Sequence, residues 1–72
     1  MSKEVFKYVA ERKMRMVSSR GNTCSIATMW KNEVITIYFN TSTMKILSVA
    51  SLQNIDQDSL LILRNIIIRF LA

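Results

Sequence analysis

The most apolar part of the chain is its C-terminal segment, in which ten of the thirteen residues 60–72 are hydrophobic. On a helix that turns by about 100° per residue, most of these side chains cover an arc centred on Leu63 and Phe70. That arc is wide enough to be the core face of a helix. Leu61 and Ile68 form a smaller apolar ridge between two polar stripes. The pattern predicts a C-terminal helix that packs on its own sheet and presents Leu61 and Ile68 to an oligomer interface.

Before this helix, the pattern changes to short runs rich in β-branched and aromatic residues, over 23–30, 33–39 and 43–50. Turn-forming residues separate the runs, at Arg20-Gly21-Asn22, Lys31-Asn32 and Asn40-Thr41-Ser42. Strands joined by such short turns are usually antiparallel neighbours. The sequence therefore predicts a β-meander.

The first twenty residues show two different periods. Apolar residues spaced by three and four positions between Val5 and Ala10 suit one face of a short helix, and the alternation that follows suits a strand. We predict a helix over 3–11 and a strand over 13–19.

Together these elements predict an α+β fold: a small antiparallel β-meander of three to four strands packed by a C-terminal α-helix, with a short N-terminal helix. A chain of 72 residues is expected to form one domain, 1–72. Half of its residues are hydrophobic, which is a high share for so small a chain. Because burying that much apolar surface is easiest when copies share a core, we expect a homodimer.

The strand over 33–39 has two chemically different sides. One side carries Ile35, Ile37 and Phe39, and the other carries Val34, Thr36 and Tyr38. Depending on register, Ala27, Met29, Leu47 and Val49 are expected to join the second side. A half-apolar second face is another argument for a partner.

Candidates for catalysis or metal binding are few. With no histidine and a single cysteine, the chain lacks an internal disulfide and the usual zinc ligands, and no cofactor or metal is expected. Cys24 lies in an apolar stretch and is expected to be a buried reduced thiol, the alternative being a reactive or intermolecular one. Asp56 is placed as the N-cap of the last helix, where Asp58 also complements the helix dipole. We expect a non-catalytic protein.

The chain is expected to be cytoplasmic. Residues 1–10 are charged and do not resemble a secretory signal. The apolar tail has thirteen residues and two arginines, whereas a membrane span needs about 20 mostly apolar residues. An interfacial membrane helix is the alternative for the tail.

Charge is the feature that points to a ligand. The first twenty residues contain six basic and two acidic side chains, and so hold +4 of the total +5. A basic end can attract a polyanion, since each neutralised phosphate releases counterions. The candidate nucleic-acid-binding residues are Lys7, Arg12, Lys13, Arg15 and Arg20. Stacking surfaces for bases are expected from Phe6, Tyr8, Trp30 and Tyr38 if they are exposed on one side; the alternative is that the aromatic residues are core and the basic ones a solvated surface.

Two resemblances bear on this charge. Residues 13–18, with Lys13 and Arg15, are similar to the basic first strand of the single-stranded-DNA-binding transcriptional coactivator family, which also has a meander followed by a dimerising helix. Of that family's basic loop after the first strand, only Arg20 is present here. The order of elements also resembles a double-stranded-RNA-binding domain, but Asp56 and Asp58 replace the lysine pair that opens its last helix.

Two functions follow as hypotheses. The first is a homodimeric regulatory protein that binds nucleic acid through its basic N-terminal segment and sheet. The second is an interaction module or inhibitor, of a kind encoded by phages or mobile elements, that docks on a partner protein through its apolar helix or sheet surface.

Overall fold

The computed structural model describes residues 3–72, which form two helices and one four-stranded antiparallel sheet. In chain order the elements are α1 (Lys3–Lys13), β1 (Arg15–Arg20), β2 (Thr23–Trp30), β3 (Glu33–Asn40), β4 (Lys45–Ala50) and α2 (Gln57–Leu71). The strands lie side by side in sequence order. The α+β fold expected from the sequence is confirmed, with four strands in the meander.

The turns explain where the strands begin and end. Gly21 has a φ of 60° in the two-residue turn between β1 and β2, and both Lys31 (51°) and Asn32 (66°) have positive φ in the next turn. Positive φ at the central residues matches the right-handed twist of a hairpin. The predicted strand over 43–50 starts at Lys45, because the side chain of Asn40 accepts hydrogen bonds from the backbone of 42 and 43 and closes a turn there.

The core lies on one face of the sheet, beneath both helices. The fully buried large side chains on this face come from β2 and β3 and include Ile26, Trp30, Ile35, Ile37 and Phe39. From α2, Leu63, Ile66 and Ile67 complete the core. Cys24 belongs to the same cluster, which confirms that it is buried, and burial raises the pKa of its thiol.

A buried hydrogen bond connects helix α1 to strand β2. The hydroxyl of Thr28 donates to the carbonyl of Ala10 over 2.6 Å. This carbonyl belongs to the last turn of α1, where backbone oxygens have no partner within the helix. Further along, the rings of Phe6 and Trp30 pack with centroids 5.6 Å apart. Both contacts hold α1 on the core face.

Helix α2 begins as expected and buries a narrower face than expected. Asp56 is its N-cap and accepts a hydrogen bond from the backbone N–H of Ser59. Leu63 is fully buried, but Phe70 is 40% exposed, so the prediction that the buried arc is centred on both residues is wrong at Phe70. In the same last turn, Leu71 is half-buried and packs against the core. Within residues 3–72, no helix combines the length and the apolar character needed to cross a bilayer.

Candidate nucleic-acid interface

The side of the sheet opposite the helices is here called the open face. Strand pairing arranges its residues in cross-strand rows: Arg20, Thr23, Asn40 and Lys45; Ser18, Ser25, Tyr38 and Ser48; Arg15, Ala27, Thr36 and Ala50; and Met29 with Val34. These residues alternate along β2 and β3 with the residues that face the core, although Ala27 is itself buried among its open-face neighbours. Both helices pack on the other side, so neither covers the open face.

The open face carries positive charge without compensating acid. Arg15 and Arg20 lie on β1 and Lys45 on β4, and no carboxylate occurs among the residues of the rows. Across residues 3–72, the ion pairs are Lys3 with Asp56 and Asp58 and Arg69 with Glu11, all away from this face. The three open-face cations therefore remain free to meet an anion.

The centre of the open face is a tyrosine surrounded by small polar residues. Tyr38 is 38% exposed, while its neighbours along β3, Ile37 and Phe39, are fully buried on the other side. Ser25 and Ser48 flank Tyr38 across the strands. Side chains this small leave one side of the phenol ring accessible for stacking.

A shallow hollow lies at one end of the open face. Its volume is about 180 Å³, and Lys13 and Arg15 line it together with the apolar side chains of Ala27, Met29 and Val34. Cationic side chains next to apolar ones suit a ligand that has a flat apolar part and an anionic part, such as a nucleotide.

The basic residues proposed from sequence separate into two groups. Arg15 and Arg20 lie on the open face and Lys13 borders it. Lys7 and Arg12 lie on α1, which packs on the opposite side, and the guanidinium of Arg12 sits 4.7 Å from the centre of the Tyr8 ring. The structure thus brings three of the five candidates to one surface.

Lys45 is the functional candidate that sequence reasoning missed. It stands alone in a nearly neutral stretch of the chain, so charge clustering gives no signal for it. The register places it in the same row as Arg20, by way of Thr23 and Asn40. Predicting this row would require the pairing of all four strands.

The aromatic residues do not share one side as the stacking hypothesis required. Trp30 is 1% exposed and packs with Phe6 in the core, so the expectation of a stacking surface is wrong for Trp30. Tyr8 is exposed but lies on α1 beneath Arg12. Of the four aromatic candidates, Tyr38 alone is on the open face.

A second surface feature is a groove between β4 and the first half of α2, here called the β4–α2 groove. It measures about 680 Å³, and its walls include Leu47 and Leu61, which are 55% and 56% exposed. Arg64 stands at one end and donates from Nε to the carbonyl of Met44 over 2.7 Å. Ile68, the other residue of the predicted ridge, is half-buried and packs partly against the core.

The register also corrects the expected composition of the open face. The sequence pattern allows Val49 on this second face, but Val49 pairs with Ile37 and faces the helices. The register shift between Tyr38 and Phe39 places Leu47 in a bulge of β4, where it is exposed beside the β4–α2 groove. Ala27 and Met29 lie on the open face as expected.

Glu33 is a charged side chain outside these surfaces that has structural partners. Glu33 accepts hydrogen bonds from the backbone of Leu52 and the side chains of Ser51 and Gln53, and these contacts lower the pKa of its carboxyl. They tie the chain after β4 to the start of β3. Within the described part of the chain, no cluster of three potential metal ligands occurs.

Comparisons with models of protein families, with curated proteins and with solved structures found no match for this chain. Its function is therefore inferred from the open face and the β4–α2 groove themselves.

Proposed function

We propose that this chain is a small, non-catalytic regulatory protein of the cytoplasm that binds single-stranded nucleic acid on the open face and acts as a homodimer. The observation that carries the proposal is the combination, on one uncovered face, of three unpaired cations and one accessible aromatic ring among residues 3–72. Cations positioned around an aromatic platform are the pattern by which proteins hold phosphates and stack bases at the same time.

The spacing of the cations suits an extended polyanion rather than one small anion. Arg15 and Arg20 are separated by at most about 17 Å along β1, at roughly 3.3 Å per residue. Arg20 and Lys45 lie at opposite edges of the sheet, three strand spacings or about 14 Å apart. A single phosphate cannot reach all three side chains, whereas a chain of several nucleotides can.

Single-stranded nucleic acid fits this face better than a duplex does. In a duplex the bases are stacked on each other, so Tyr38 would have no base to contact. An unpaired strand can place phosphates against the cations and one base against the ring. Its binding would be tolerant of sequence, because every base offers a flat face.

The test compares two triple variants of equal net charge. Replacing Arg15, Arg20 and Lys45 with Ala removes three charges from the open face; replacing Lys7, Arg12 and Lys31 with Ala removes three from elsewhere on the surface. For single strands the slope of log affinity against log salt becomes shallower by about 0.7 for each phosphate that the protein no longer neutralises. We expect the slope of the first triple to be shallower by about 2 and that of the second to stay close to wild type.

Circular dichroism controls for folding, and single-stranded DNA and RNA of mixed sequence serve as probes. Equal weakening in both triples would mean that net charge alone attracts the strand and would reject the open face as the site. Absence of salt-sensitive binding in the wild type would reject nucleic-acid binding altogether.

The second candidate is docking of the same face on an acidic surface of a partner protein. The apolar part of the open face, at Met29 and Val34, favours this alternative, since the exposed fraction of Val34 is 63%. A partner protein that binds the wild type but not the open-face triple, without any binding of nucleic acid, would support it.

A further inference from the structure

We propose that the β4–α2 groove binds an extended segment of a partner protein, one that alternates apolar and polar residues and carries a carboxylate where it meets Arg64. The segment pairs with β4 as a fifth strand and places every second side chain in the groove. This site is separate from the open face, so the inference does not rest on the proposed function. It depends on the edge of β4, on the apolar residues of the groove and on the sign of its charges.

The edge of β4 is itself a wall of the groove. Strand β4 is the last of the sheet, and within residues 3–72 its outer side makes no backbone hydrogen bond with another strand. All of residues 45–49 line the groove, although successive side chains of a strand point to opposite faces. The backbone edge therefore borders the groove. Its N–H and C=O groups match the backbone of another extended chain, whereas a lipid or a small apolar molecule has no such repeating groups.

The groove leaves the core incompletely covered on the side of β4. Ile46, Val49 and Ile55 are half-buried, pack against the core cluster and line the groove. Beside them, Leu47 and Leu61 are more than half exposed. The groove volume of about 680 Å³ lies within the range of sites that enclose a ligand. Apolar side chains of an added strand would cover these residues and remove them from water.

The charged residues of the groove are cations. Lys45 and Arg64 line it, and no carboxylate does. The Nε of Arg64 donates to the carbonyl of Met44, the neighbour of Lys45, so both cations lie at the same end of the groove. Within residues 3–72, no carboxylate pairs with either of them. A carboxylate of the bound segment can accept hydrogen bonds from the terminal nitrogens of Arg64, which selects an acidic segment and fixes its direction along β4.

The same charges argue against a second copy of this chain as the occupant. Two copies that met through this groove would contribute only cations to the contact, since neither groove contains a carboxylate. The bulge at Leu47 and the lysine at the start of β4 are also features by which an edge strand avoids pairing with other copies of itself. An acidic segment neutralises the cations instead. The proposed homodimer therefore needs a surface other than this groove.

The probe is a phage-displayed library of random peptides of about eight residues, since six residues at roughly 3.3 Å each already span β4. The library is selected on the wild-type protein, and the enriched peptides are synthesised. We expect them to alternate apolar and polar residues and to contain Asp or Glu near one end. In Arg64→Glu their affinity should fall by at least about tenfold, because a hydrogen-bonded ion pair is replaced by like charges. Lys7→Glu makes the same reversal on the exposed side of α1 and should bind as the wild type does.

A second peptide, in which the acidic residue is replaced by Lys, separates a specific contact from a folding defect. It should bind Arg64→Glu more tightly than it binds the wild type, which an unfolded variant could not do. Hydrogen exchange measures the strand pairing. The amides on the outer side of β4 should exchange more slowly in the complex than in the free protein, because the added strand accepts hydrogen bonds from them.

Selection without enrichment of acidic peptides, equal affinity of the wild type and Arg64→Glu, or unchanged exchange in β4 would each overturn the proposal. A wild-type dimer that is lost in Arg64→Glu and is not dissociated by the peptide would assign the groove to a second copy. A single-stranded oligonucleotide that displaces the peptide and depends on Arg64 in the same way would assign it to nucleic acid. Peptide binding as expected in a protein that binds no oligonucleotide would support the groove and reject the proposed function alone.

Discussion

At the scale of single residues, the proposed function depends on which side of a strand a side chain occupies. Ile37, Tyr38 and Phe39 are consecutive and similarly apolar, yet the first and third are fully buried and Tyr38 is 38% exposed. Successive side chains of a strand point to opposite faces. Ser25 and Ser48 beside Tyr38 are too short to cover its ring. Tyr38 is therefore the residue at which stacking can be tested alone.

Replacing Tyr38 with Ala is expected to weaken binding of a single-stranded oligonucleotide, and Tyr38→Phe is expected to bind nearly as the wild type does. Removing a base-stacking ring costs about 1–3 kcal/mol, which is about 5- to 150-fold in affinity. The phenyl ring of the second variant retains the stacking surface. Fluorescence anisotropy at one fixed salt concentration measures both. Wild-type affinity in Tyr38→Ala would show that the strand is held by charge without stacking.

At the scale of elements, the start of α2 combines a helix cap with an ion pair. Asp56 accepts hydrogen bonds from the side chain and backbone of Ser59 and meets Lys3 of α1 at 3.1 Å. These contacts lower the pKa of Asp56 from 3.8 to about 2. The cap is thus also a link between the two helices, and it depends on the carboxylate being ionised.

Stability is expected to fall as the pH drops from about 4 towards 2, in part because Asp56 becomes protonated. A carboxyl group whose pKa is lower in the folded than in the unfolded chain stabilises the fold at pH values above its unfolded pKa. This stabilisation is lost as the pH falls through the folded pKa. Glu33, whose pKa is also lowered, adds to the same trend. The variant Asp56→Asn keeps an acceptor for the cap but cannot ionise. The urea concentration at its unfolding midpoint should therefore be lower than that of the wild type at pH 7, and it should change less as the pH is lowered.

Urea unfolding at pH 7, 4 and 2 measures this difference. Glu4→Gln is the matched control, since Glu4 is exposed and makes no side-chain hydrogen bond or ion pair within residues 3–72. Its acid profile should follow the wild type. Identical profiles for the wild type and Asp56→Asn would show that the cap does not depend on the charge of Asp56.

Most elements were predictable because their signals are local. Strand β2 over 23–30 and the helix cap at Asp56 can be predicted from neighbouring residues alone, and the structure has both at the predicted positions. The bulge at Leu47 is not local, since it exists only in the pairing of β3 with β4. This bulge decides that Val49 faces the helices, so the composition of the open face could not be predicted completely.

At the scale of the whole molecule, the candidate site is a property of the sheet and not of any segment. The sequence shows an excess of charge near its beginning, but it does not show that α1 takes Lys7 and Arg12 to the far side. Nor does it show that Lys45 joins Arg20 in one row, because that requires three pairings in register. The net positive charge of the chain could be predicted from composition, whereas the positions of the charged side chains on the surface follow only from the fold.

The layered arrangement, one covered face and one open face, can be tested by two truncations on β3. Ile37 is fully buried, and Val34 is 63% exposed on the open face. Ile37→Ala removes core volume and should cost about 2–5 kcal/mol, out of a total stability of about 4–11 kcal/mol expected for a chain of this length. Val34→Ala should change the free energy of unfolding by less than about 0.5 kcal/mol.

Urea unfolding at pH 7, at a protein concentration low enough to keep both variants monomeric, measures the two changes. The pair is matched because both residues are β-branched, lie on the same strand and are three positions apart. Their difference therefore reports the side of the sheet and not a change in β propensity. A cost at Val34 comparable to that at Ile37 would mean that the open face is covered in the folded protein, and it would remove the surface on which the proposed nucleic-acid site depends.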